Sequence, residues 1–567
     1  MRKFSDSKNF RLALPKYFLY FATCFIIFRL FQIQVLNTSR YRAEAKQQQW
    51  KGDIIPSKRG TIYSSDKYPV AQSIQKYDLY YEASDKTDET ELLHGLDTVI
   101  EYDRNEVRNI LSKETRRAKL LTNLDYQQKT ILEGLKIPGV IIEPYYVREY
   151  PEDDMLAHLL GFVGKDKYGT DVGYYGLEQY YEGDLAGTPG NKFQEQSASG
   201  NIILWGNTEV IEPVNGSDLH LTIDRNVQFL AEKSIKRGVD IYNAKSGSVI
   251  VVHPETGKIL AMANYPVFDL DKYADFVDEK NLLRNSAIGT VYEAGSVIKP
   301  ITMASAMDSG RISKNSVYND TGPKIYSGHT IDNWDGKHHG EETMTEILQH
   351  SNNMGMAWIG TQIGDKALLE YFSDFYLGKK LSIDLDGEER GLIYSNPPLK
   401  EIELANASFG QGISVTPLQV AMSFSAIANK GFLMKPYVVE EVSGPDGSSK
   451  TEPEILSRPI STQTADEMVG MLTEAVAGGE AKFFVSKKYQ IAGKTGTAQV
   501  PVSGGYDADR TNATFVGFFP SYRNFVMLIR LEEPSSPSGY AAETAVPLWM
   551  SLAEELANYY NLRPDKE

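Results

Sequence analysis

The chain has 567 residues, of which 41% are hydrophobic and 24% are charged, and its formal net charge is −16. This composition is that of a folded globular protein, and the length predicts two or three domains. The acidic balance argues against nucleic-acid binding, because a phosphate-binding surface needs an excess of Lys and Arg. A single cysteine, Cys24, excludes an intramolecular disulfide, and eight histidines leave little material for zinc. We therefore expect no nucleic-acid partner, no metal and no cofactor.

An apolar segment of twenty residues, Tyr17 to Leu36, lies near the N-terminus. Twenty helical residues span about 30 Å, which matches the hydrocarbon core of a bilayer. Five Lys and Arg residues against one Asp precede this segment, so the positive-inside rule predicts that the N-terminus is cytoplasmic and that everything after the segment is extracytoplasmic. The competing interpretation is a signal peptide cleaved at Ala43-Glu44-Ala45. We favour an uncleaved anchor, because that site lies well beyond the apolar run.

Arg29 is the one charged residue inside the apolar segment. A lone arginine in mid-membrane costs a few kcal/mol on insertion scales unless it snorkels or pairs. Gln32 shares its helical face at i+3, and Gln34 lies within about one and a half turns. This polar stripe favours contact with a partner membrane helix over contact with lipid alone.

Two patterns follow the anchor. Residues 37–215 are polar and rich in tyrosine, and strand-like runs such as Val140–Ile142 alternate with helical stretches such as "ETELLHGLDTVIEY". This alternation predicts an elongated α+β module. From residue 216, "LHLTI" predicts a strand, and Asp224 after it suits a helix N-cap. Further along, "SGSVIVVHPETGKILAMANYP" and "ATFVGFFP…FVMLIRLEE" each predict a hairpin. Strands at both ends with helices between them predict an antiparallel sheet covered by helices.

One interior helix has clear start and stop signals in "VTPLQVAMSFSAIANKG". Thr416 is a suitable N-cap, Pro417 stands at N1, and Gln419 is the capping-box partner at N3. Gly431 stands where a C′ glycine belongs. The pattern therefore predicts a helix from Pro417 that ends just before Gly431.

Three short motifs occur in a characteristic order. Ser296 and Lys299 form S-x-x-K, Ser351 and Asn353 form S-x-N, and Lys494-Thr495-Gly496 forms K-T-G. The first two patterns recur elsewhere in the chain and carry little weight alone, whereas K-T-G occurs once. Their joint occurrence in this order is typical of serine acyltransferases that react with penicillin.

In these motifs the chain resembles the penicillin-binding proteins, and most closely the class B members, which are membrane-anchored peptidoglycan D,D-transpeptidases. "KRGTIY", "REYPEDDMLAHLLGFVG" and "YGLEQYYEGDLAGTPG" are similar to motifs of the family's pedestal domain. "FGQGISVTPLQVA", "ATFVGFFP" and "GYAAETAVPLW" are similar to later landmarks of the transpeptidase domain.

The sequence departs from the family pattern at two places. The usual Y-E-P-G-S-T-F-K-P reads "YEAGSVIKP" here, which bears on pocket shape and drug affinity, and Ser64 replaces the aspartate expected after "RGTIY".

The resemblance implies an α+β protein that cross-links peptidoglycan. Ser296 would attack the D-Ala-D-Ala bond of a stem peptide, and an amine of a neighbouring stem would resolve the acyl-enzyme. The implied ligands are stem peptides and β-lactams, and the implied partners are a polytopic lipid II glycosyltransferase and other division or elongation membrane proteins. The compact pedestal and "IAGKTGTAQV" are more similar to the septal type. The implied parts are a cytoplasmic tail (1–16), a transmembrane anchor (17–36), a pedestal of dimerisation type (37–215) and a transpeptidase domain (216–567).

The first two motifs carry the predicted acid–base chemistry. A serine nucleophile needs a base, and Lys299 can serve only when it is neutral. Burial and the charge of Lys494 would bring its pKa well below the ordinary value of about 10.4. Ser351 would relay a proton to the leaving amine, and Asn353 would hydrogen-bond both Lys299 and the substrate amide.

K-T-G is predicted to be an edge strand beside the nucleophile. Gly496 would let substrate approach the backbone closely, since it has no side chain. Lys494, Thr495 and Thr497 suit a terminal carboxylate by charge and by two hydroxyl groups. In the family, the backbone N–H groups of the nucleophile and of the position matching Thr497 form the oxyanion hole.

Three alternatives stay open at this point. A D,D-carboxypeptidase or a β-lactamase shares the motifs but delivers water to the acyl-enzyme. A non-catalytic scaffold of the wall-synthesis machinery would retain the fold without chemistry.

The stretch "HTIDNWDGKHHG" contains five possible metal ligands, which are His329, Asp332, Asp335, His338 and His339. A solvated loop over the cleft is favoured instead, because the spacing of these residues matches no zinc pattern. Gly410 and Gly412 in "FGQG" are interpreted as a tight turn near the site.

Overall fold

A computed structural model describes residues 5–41, 50–82, 89–113, 117–195, 207–395, 397–502 and 505–566. The chain has two compact units. The first comprises Met1–Lys58 with Gly187–Asn215, and the second comprises Arg59–Ala186 with Gly216–Glu567. Residues 59–186, assigned above to the pedestal, thus pack with the chain after 216. The boundaries 37–215 and 216–567 stay predictions. The alternative cleavage site, Ala43-Glu44-Ala45, lies outside the described residues.

The first unit contains a long N-terminal helix, Ser5–Phe31, which continues as a π-helical stretch, Gln32–Leu36. Within it, Pro15–Leu36 is long and apolar enough to cross a membrane. Arg29 Nη1 donates a hydrogen bond to Gln32 Oε1 at 2.6 Å, as the i+3 spacing predicts. This unit also contains a three-stranded antiparallel sheet formed by Trp50–Ile55, Gly190–Glu195 and Thr208–Ile211.

The second unit contains a seven-stranded sheet that joins the two halves of the chain. Its short strand Ile62–Tyr63 pairs in parallel with Asp218–Leu221, and its other pairings are antiparallel. The predicted strand at 140–142 is confirmed as a member, and the one predicted at 219–223 is confirmed but ends at Leu221. In spatial order the strands are Gly447–Lys450, Val439–Gly444, Asp218–Leu221, Ile62–Tyr63, Pro69–Glu82 and Arg117–Leu124, and Val140–Glu149 also pairs with Pro69–Glu82.

A buried ion cluster ties this sheet to the short helices beside it. The Glu178 side chain is fully buried and accepts hydrogen bonds from Arg59 Nε at 2.6 Å and Arg148 Nε at 2.7 Å. Arg59 Nη2 also lies 2.7 Å from Glu182 Oε2. These residues come from the three pedestal-like motifs of the sequence. Charges removed from water need such partners, so the cluster explains why the three segments meet.

Three helices cover another part of the same sheet. Leu92, Leu96 and Leu132 of these helices pack with Leu79 and Leu120 of the strands. Asp103 and Asp125 cap two of the helices through side-chain hydrogen bonds to backbone N–H groups. The predicted helix at 89–102 is confirmed but ends earlier than its pattern. The helices are Glu89–Asp97, Arg104–Ser112 and Tyr126–Leu135.

A five-stranded antiparallel sheet forms the centre of the second unit, and helices cover both of its faces, as predicted. Residues alternate between the faces, so Val249 and Val251 belong to one core, and Ile250 and Val252 belong to the other. Both predicted hairpins are confirmed within it. Its strands, in spatial order, are Ile259–Tyr265, Ser246–Val252, Val526–Glu532, Gly505–Phe518 and Ala492–Val502. One face packs on Arg225–Tyr242 and Ala545–Tyr559, and the other on Lys299–Asp308, Pro417–Ala428 and Thr462–Gly478.

The predicted helix caps are largely confirmed. Asp224 accepts from two N–H groups at the start of helix Arg225–Tyr242. Thr416 and Gln419 form the predicted capping box. At the other end the C′ assignment was wrong by one residue, because Lys430 takes the left-handed conformation at C′ with φ +54°. Gly431 is C″, and its N–H donates to Ala426 O at 2.8 Å, which is the C″-to-C3 hydrogen bond of a Schellman motif.

The remaining elements of the second unit are short. Four two-stranded pairs are Phe162–Lys165 with Asp171–Tyr174, Val317–Asp320 with Gly340–Thr343, Lys324–Tyr326 with His329–Ile331, and Leu433–Met434 with Ile455–Ser457. The other α-helices are Ala157–Leu160, Gly176–Tyr180, Glu182–Leu185, Lys280–Leu283, Ser286–Gly289, Met344–Gln349, Asn353–Ile363, Asp365–Asp374 and Glu401–Ser408. The 3-10 turns are Tyr273–Phe276, Gly295–Ile298, Glu480–Phe483 and Ala541–Glu543.

Candidate active site

Ser296 lies in a 3-10 turn, Gly295–Ile298, that leads directly into the buried helix Lys299–Asp308. Pro300 occupies the first turn of that helix, where a missing N–H is tolerated, as predicted. Gly295 has φ +57°, and its N–H donates to Gly410 O at 3.1 Å. The turn, which we call the nucleophile turn, therefore holds Ser296 at the start of the helix and half-exposed to a cleft.

Lys299 is fully buried one turn beyond Ser296. Its Nζ lies 2.5 Å from Ser351 O, 3.2 Å from Ser351 Oγ and 2.7 Å from Asn353 Oδ1, so the predicted contact with Asn353 is confirmed. Burial lowers the pKa of Lys299 well below its ordinary value, and the charge of Lys494 lowers it further, against an opposing effect of Glu480. A neutral amine keeps two N–H donors and one lone pair. Lys299 is thus suited to accept a proton.

Ser351 lies between the two lysines. Its Oγ is 3.2 Å from Lys299 Nζ and 3.1 Å from Lys494 Nζ. Its backbone has φ +54°, which is uncommon for a residue other than glycine, and strain of this kind is frequent at functional sites. The neighbouring Asn352 caps helix Asn353–Ile363 and donates to the buried Asp320 at 2.8 Å. This packing fixes the strained loop.

The K-T-G strand, Ala492–Val502, is an edge strand of the five-stranded sheet, as predicted. A Cβ atom at Gly496 would lie 2.8 Å from Ala294 O and 2.9 Å from Val297 Cγ1. The close approach that Gly496 permits in this structure is therefore to the nucleophile turn. Approach of a substrate at the same position stays a prediction.

The predicted carboxylate-binding residues differ in their access to the cleft. Thr497 lines it, and its Oγ1 accepts a hydrogen bond from Ala541 N at 3.0 Å. Lys494 and Thr495 are each only 4% exposed and lie beneath the surface of the cleft. Burial lowers the pKa of Lys494, against an opposing effect of Glu480. Of these three residues, Thr497 is therefore the one that lines the cleft, and carboxylate binding by the three stays a prediction.

Glu480 is a site residue that the sequence interpretation missed. It lines the cleft and accepts a hydrogen bond from Thr495 Oγ1 at 2.7 Å, and that oxygen accepts one from Lys494 Nζ at 3.0 Å. A continuous chain of contacts therefore runs from Glu480 through Lys494 and Ser351 to Lys299. No motif marks Glu480, which begins the 3-10 turn Glu480–Phe483 after helix Thr462–Gly478.

The cleft in front of Ser296 has a volume of about 1180 Å³. This exceeds the usual range for drug-sized ligands and leaves room for an extended peptide. Trp334 and Tyr540 lie on its rim with their ring centroids 5.8 Å apart. Ser296, Ser351, Asn353 and Thr497 line it together with the acids Glu480, Asp509 and Glu543 and the aromatic residues Phe409, Phe483 and Phe484.

Both loop predictions near the site are supported by the geometry. Gly410 and Gly412 have φ of +87° and +71° in a tight turn beside the nucleophile turn. Trp334 places the loop 329–340 beside the cleft. Of the five possible metal ligands in that loop, His339 alone belongs to a group of three ligand-type residues found among the described parts of the chain.

Comparison with known proteins identifies this architecture. The model of the penicillin-binding protein transpeptidase domain matches residues 247–549, and that of the penicillin-binding protein dimerisation domain matches residues 54–221. Because the first match covers more than half of the chain, the protein belongs to the penicillin-binding protein transpeptidase family. With the dimerisation domain, it is a class B member of that family, as predicted.

Several relatives match most of the chain. Stage V sporulation protein D of Bacillus subtilis is 30% identical over 440 residues, which cover 77% of this chain and 67% of the relative. Peptidoglycan D,D-transpeptidase FtsI of Escherichia coli is 27% identical, and the match covers 98% of this chain and 93% of that relative. Penicillin binding protein 2X of Streptococcus thermophilus shares the fold, with a TM-score of 0.79 at 23% identity over 90% of this chain and 81% of that one. Penicillin binding protein 3 of a Mycobacterium, solved with aztreonam, has a TM-score of 0.69 at 25% identity, covering 90% of this chain and 98% of that one.

Proposed function

We propose that this protein is a peptidoglycan D,D-transpeptidase that works through an acyl-enzyme on Ser296 and is inhibited by β-lactams. The observation that carries the proposal is the position of Lys299. Its amine is fully buried, has a depressed pKa and lies one helical turn from Ser296. A buried amine with a lowered pKa, one helical turn from a half-exposed serine, is an arrangement suited to nucleophilic catalysis.

In the first step, Ser296 Oγ attacks the carbonyl carbon of the D-Ala-D-Ala bond. Its proton passes to Lys299 Nζ, and the backbone N–H groups of Ser296 and Thr497 stabilise the oxyanion, as the family resemblance implies. The C–N bond then breaks. The leaving D-alanine amine takes up a proton through Ser351 Oγ, which contacts both lysines. The products of this step are the acyl-serine and free D-alanine.

In the second step, an amine of a neighbouring stem peptide attacks the acyl-serine ester. Lys299, neutral again, takes a proton from this amine through the same relay, and the serine leaves with a proton. The result is a new amide cross-link and a regenerated Ser296. Thr497, with Lys494 and Thr495 behind it, supplies the carboxylate-binding end of the cleft, and Asn353 supplies a partner for the substrate amide.

We propose that residues 17–36 anchor the protein in the cytoplasmic membrane, with the tail in the cytoplasm and the cleft on the outer side. The apolar helix Pro15–Leu36 and the basic residues before it support this topology. A polytopic lipid II glycosyltransferase is the proposed membrane partner. The septal-type features of the sequence and the extent of the match to FtsI support a role in cell division.

Labelling with fluorescent penicillin tests the acyl-enzyme. We expect the wild-type protein to form a long-lived adduct on Ser296, and Ser296→Ala to abolish it. Ser313→Ala removes an exposed serine away from the cleft and is the matched control, with full labelling expected. Labelling of the Ser296→Ala variant would refute the assignment of the nucleophile, and rapid turnover of a chromogenic cephalosporin would favour a hydrolase instead.

A further inference from the structure

We propose that His339, Glu342 and His350 bind a divalent transition-metal ion, of the zinc, cobalt or nickel class, behind the S-x-N loop. One ring nitrogen of each histidine and a carboxylate oxygen of Glu342 all lie within 4.8 Å of one another. His350 Nδ1 is 2.6 Å from Glu342 Oε1. The two imidazole rings stack, with centroids 4.2 Å apart and an interplanar angle of 13°.

These distances are compatible with coordination after small side-chain rotations. Nitrogen and oxygen ligands lie about 2.0–2.2 Å from zinc, so neighbouring ligand atoms in a tetrahedral site are roughly 3.3–3.5 Å apart. His350 and Glu342 are closer than this and must separate slightly, whereas the upper limit of 4.8 Å must contract. His339 and His350 are both at least partly exposed, so rotation of their rings can supply this adjustment while Glu342 stays in place.

The ligand set determines the class of ion. Two imidazoles and one carboxylate suit zinc and its neighbours in the first transition series, whereas magnesium and calcium prefer oxygen ligands alone. Three protein ligands leave a fourth position for water. The His350 side chain is 38% exposed, so solvent and a metal ion reach the cluster directly.

Glu342 is the most rigidly held of the three proposed ligands. It lies in strand Gly340–Thr343, which pairs with Val317–Asp320, and its side chain is only 2% exposed. Its second oxygen, Oε2, accepts a hydrogen bond from Asn352 Nδ2. Outer partners of this kind orient a ligating carboxylate and improve metal affinity. A buried carboxylate held in place from behind leaves its first oxygen directed to the two histidines.

The cluster is coupled to the active site through two covalent neighbours. His350 directly precedes Ser351, and Asn352, which bonds to Glu342, directly precedes Asn353. A bound ion would therefore restrain this strained loop through His350 and Asn352. The proposal itself concerns binding and does not depend on the transpeptidase activity.

Cobalt binding to the full-length protein tests the site. The protein is purified in detergent without a polyhistidine tag, stripped with chelator and titrated with Co²⁺ alone, with visible absorption as the readout and Zn²⁺ as competitor. We expect one Co²⁺ per chain, displaced by Zn²⁺. His339→Ala and His350→Ala should each weaken binding at least tenfold. His329→Ala removes an exposed histidine of the same loop outside the cluster, so it should bind like the wild type.

Glu342→Gln is a further variant, because it keeps an oxygen for Asn352 while removing the negative ligand. We expect at least tenfold weaker Co²⁺ binding, with penicillin labelling as the check that the variant is folded. Failure of the wild-type protein to bind Co²⁺ at 1:1 stoichiometry would overturn the proposal. Equal binding by the wild type and all three histidine variants would overturn it as well, since the ion would then lie elsewhere.

Discussion

Lys299 and Lys494 are two buried amines that share one hydroxyl group, Ser351 Oγ. Two like charges in a low-dielectric site oppose each other, so proximity favours the neutral form of one of them. Glu480 acts in the opposite direction on both lysines. The protonation state of Lys299 therefore depends on a balance between one cation and one anion that contact neither Ser296 nor each other directly.

Charge-neutralising variants should move the pH profile of acylation in opposite directions. Acylation requires neutral Lys299 and is lost as the pH falls through its pKa. Lys494→Gln removes a neighbouring positive charge, which raises the pKa of Lys299 and moves the acid limb to higher pH. Glu480→Gln removes a negative charge, which lowers that pKa and moves the limb to lower pH. The measurement is the second-order rate constant of penicillin acylation as a function of pH.

Glu474→Gln is the matched control for this pair, because Glu474 is an exposed acid on the preceding helix. Its acid limb should coincide with that of the wild type. A shift of the Lys494→Gln and Glu480→Gln limbs in the same direction would contradict the electrostatic account. The pH at the midpoint of the acid limb reports the pKa of Lys299. A loss of carboxylate binding in the Lys494 variant would lower the acylation rate without moving this midpoint.

At the scale of the elements, the contact between the K-T-G strand and the nucleophile turn sets the geometry of the site. Gly496→Ala would place a methyl group 2.8 Å from Ala294 O, which is backbone and cannot rotate away. The strand must therefore move from the turn. A displacement of about 1 Å at a catalytic group costs on the order of 100-fold in rate. We expect a loss of this size in penicillin acylation, measured by stopped-flow mixing.

Gly505→Ala is the control, since a Cβ there has no atom of the described chain within 4 Å and the residue lies in the adjacent strand. Its acylation rate should stay close to that of the wild type. If Gly496→Ala also acylates at the wild-type rate, close packing of the strand is not what positions Ser296.

The ion cluster of the seven-stranded sheet should contribute strongly to stability. Glu178→Gln leaves the buried Arg148 beside a neutral group and leaves Arg59 paired with Glu182 alone. Breaking a buried pair typically costs about 3–5 kcal/mol. The free energy of unfolding in denaturant measures this effect. Glu143→Gln is the control, because Glu143 is 48% exposed in its pair with Arg117, and exposed pairs contribute about 0–1 kcal/mol. Equal losses in both variants would show that burial does not determine the contribution.

At the scale of the whole molecule, the apolar N-terminal helix is the proposed membrane anchor and the proposed site of contact with a membrane partner. Arg29 already has Gln32 as a neighbour, and together they form a polar surface on an apolar helix. Polar groups of this kind stabilise helix–helix contacts in lipid. We expect Arg29→Leu to leave the protein in the membrane fraction but to weaken its co-purification with the polytopic lipid II glycosyltransferase. Full partner binding after replacement of the anchor by an unrelated helix would assign the contact to another part of the chain.

Local features were predictable because their partners lie within a few residues. The capping box of Thr416 and Gln419, the cap at Asp224 and both hairpins follow from neighbouring side chains and from period-two alternation, and all are confirmed. Even here the C′ position fell on Lys430, at φ +54°, and Gly431, at φ +91°, is C″. The left-handed conformation costs a residue other than glycine only about 1–2 kcal/mol, so tertiary packing can hold a lysine in it.

The sequence by itself determined the chemistry that we propose for this protein, because the three motifs carry the reactive groups and their order is typical of serine acyltransferases that react with penicillin. The tertiary structure decided what surrounds them. It brought Ser351 into contact with both Lys299 and Lys494, which are nearly two hundred residues apart, and placed Ser351 in the same cleft as Ser296. It also placed Glu480 beside the K-T-G strand and packed Gly496 against the nucleophile turn. It also joined residues 59–186 to the chain after 216 in one sheet. These contacts depend on how two faces of a sheet and their helices pack, and no local pattern encodes them.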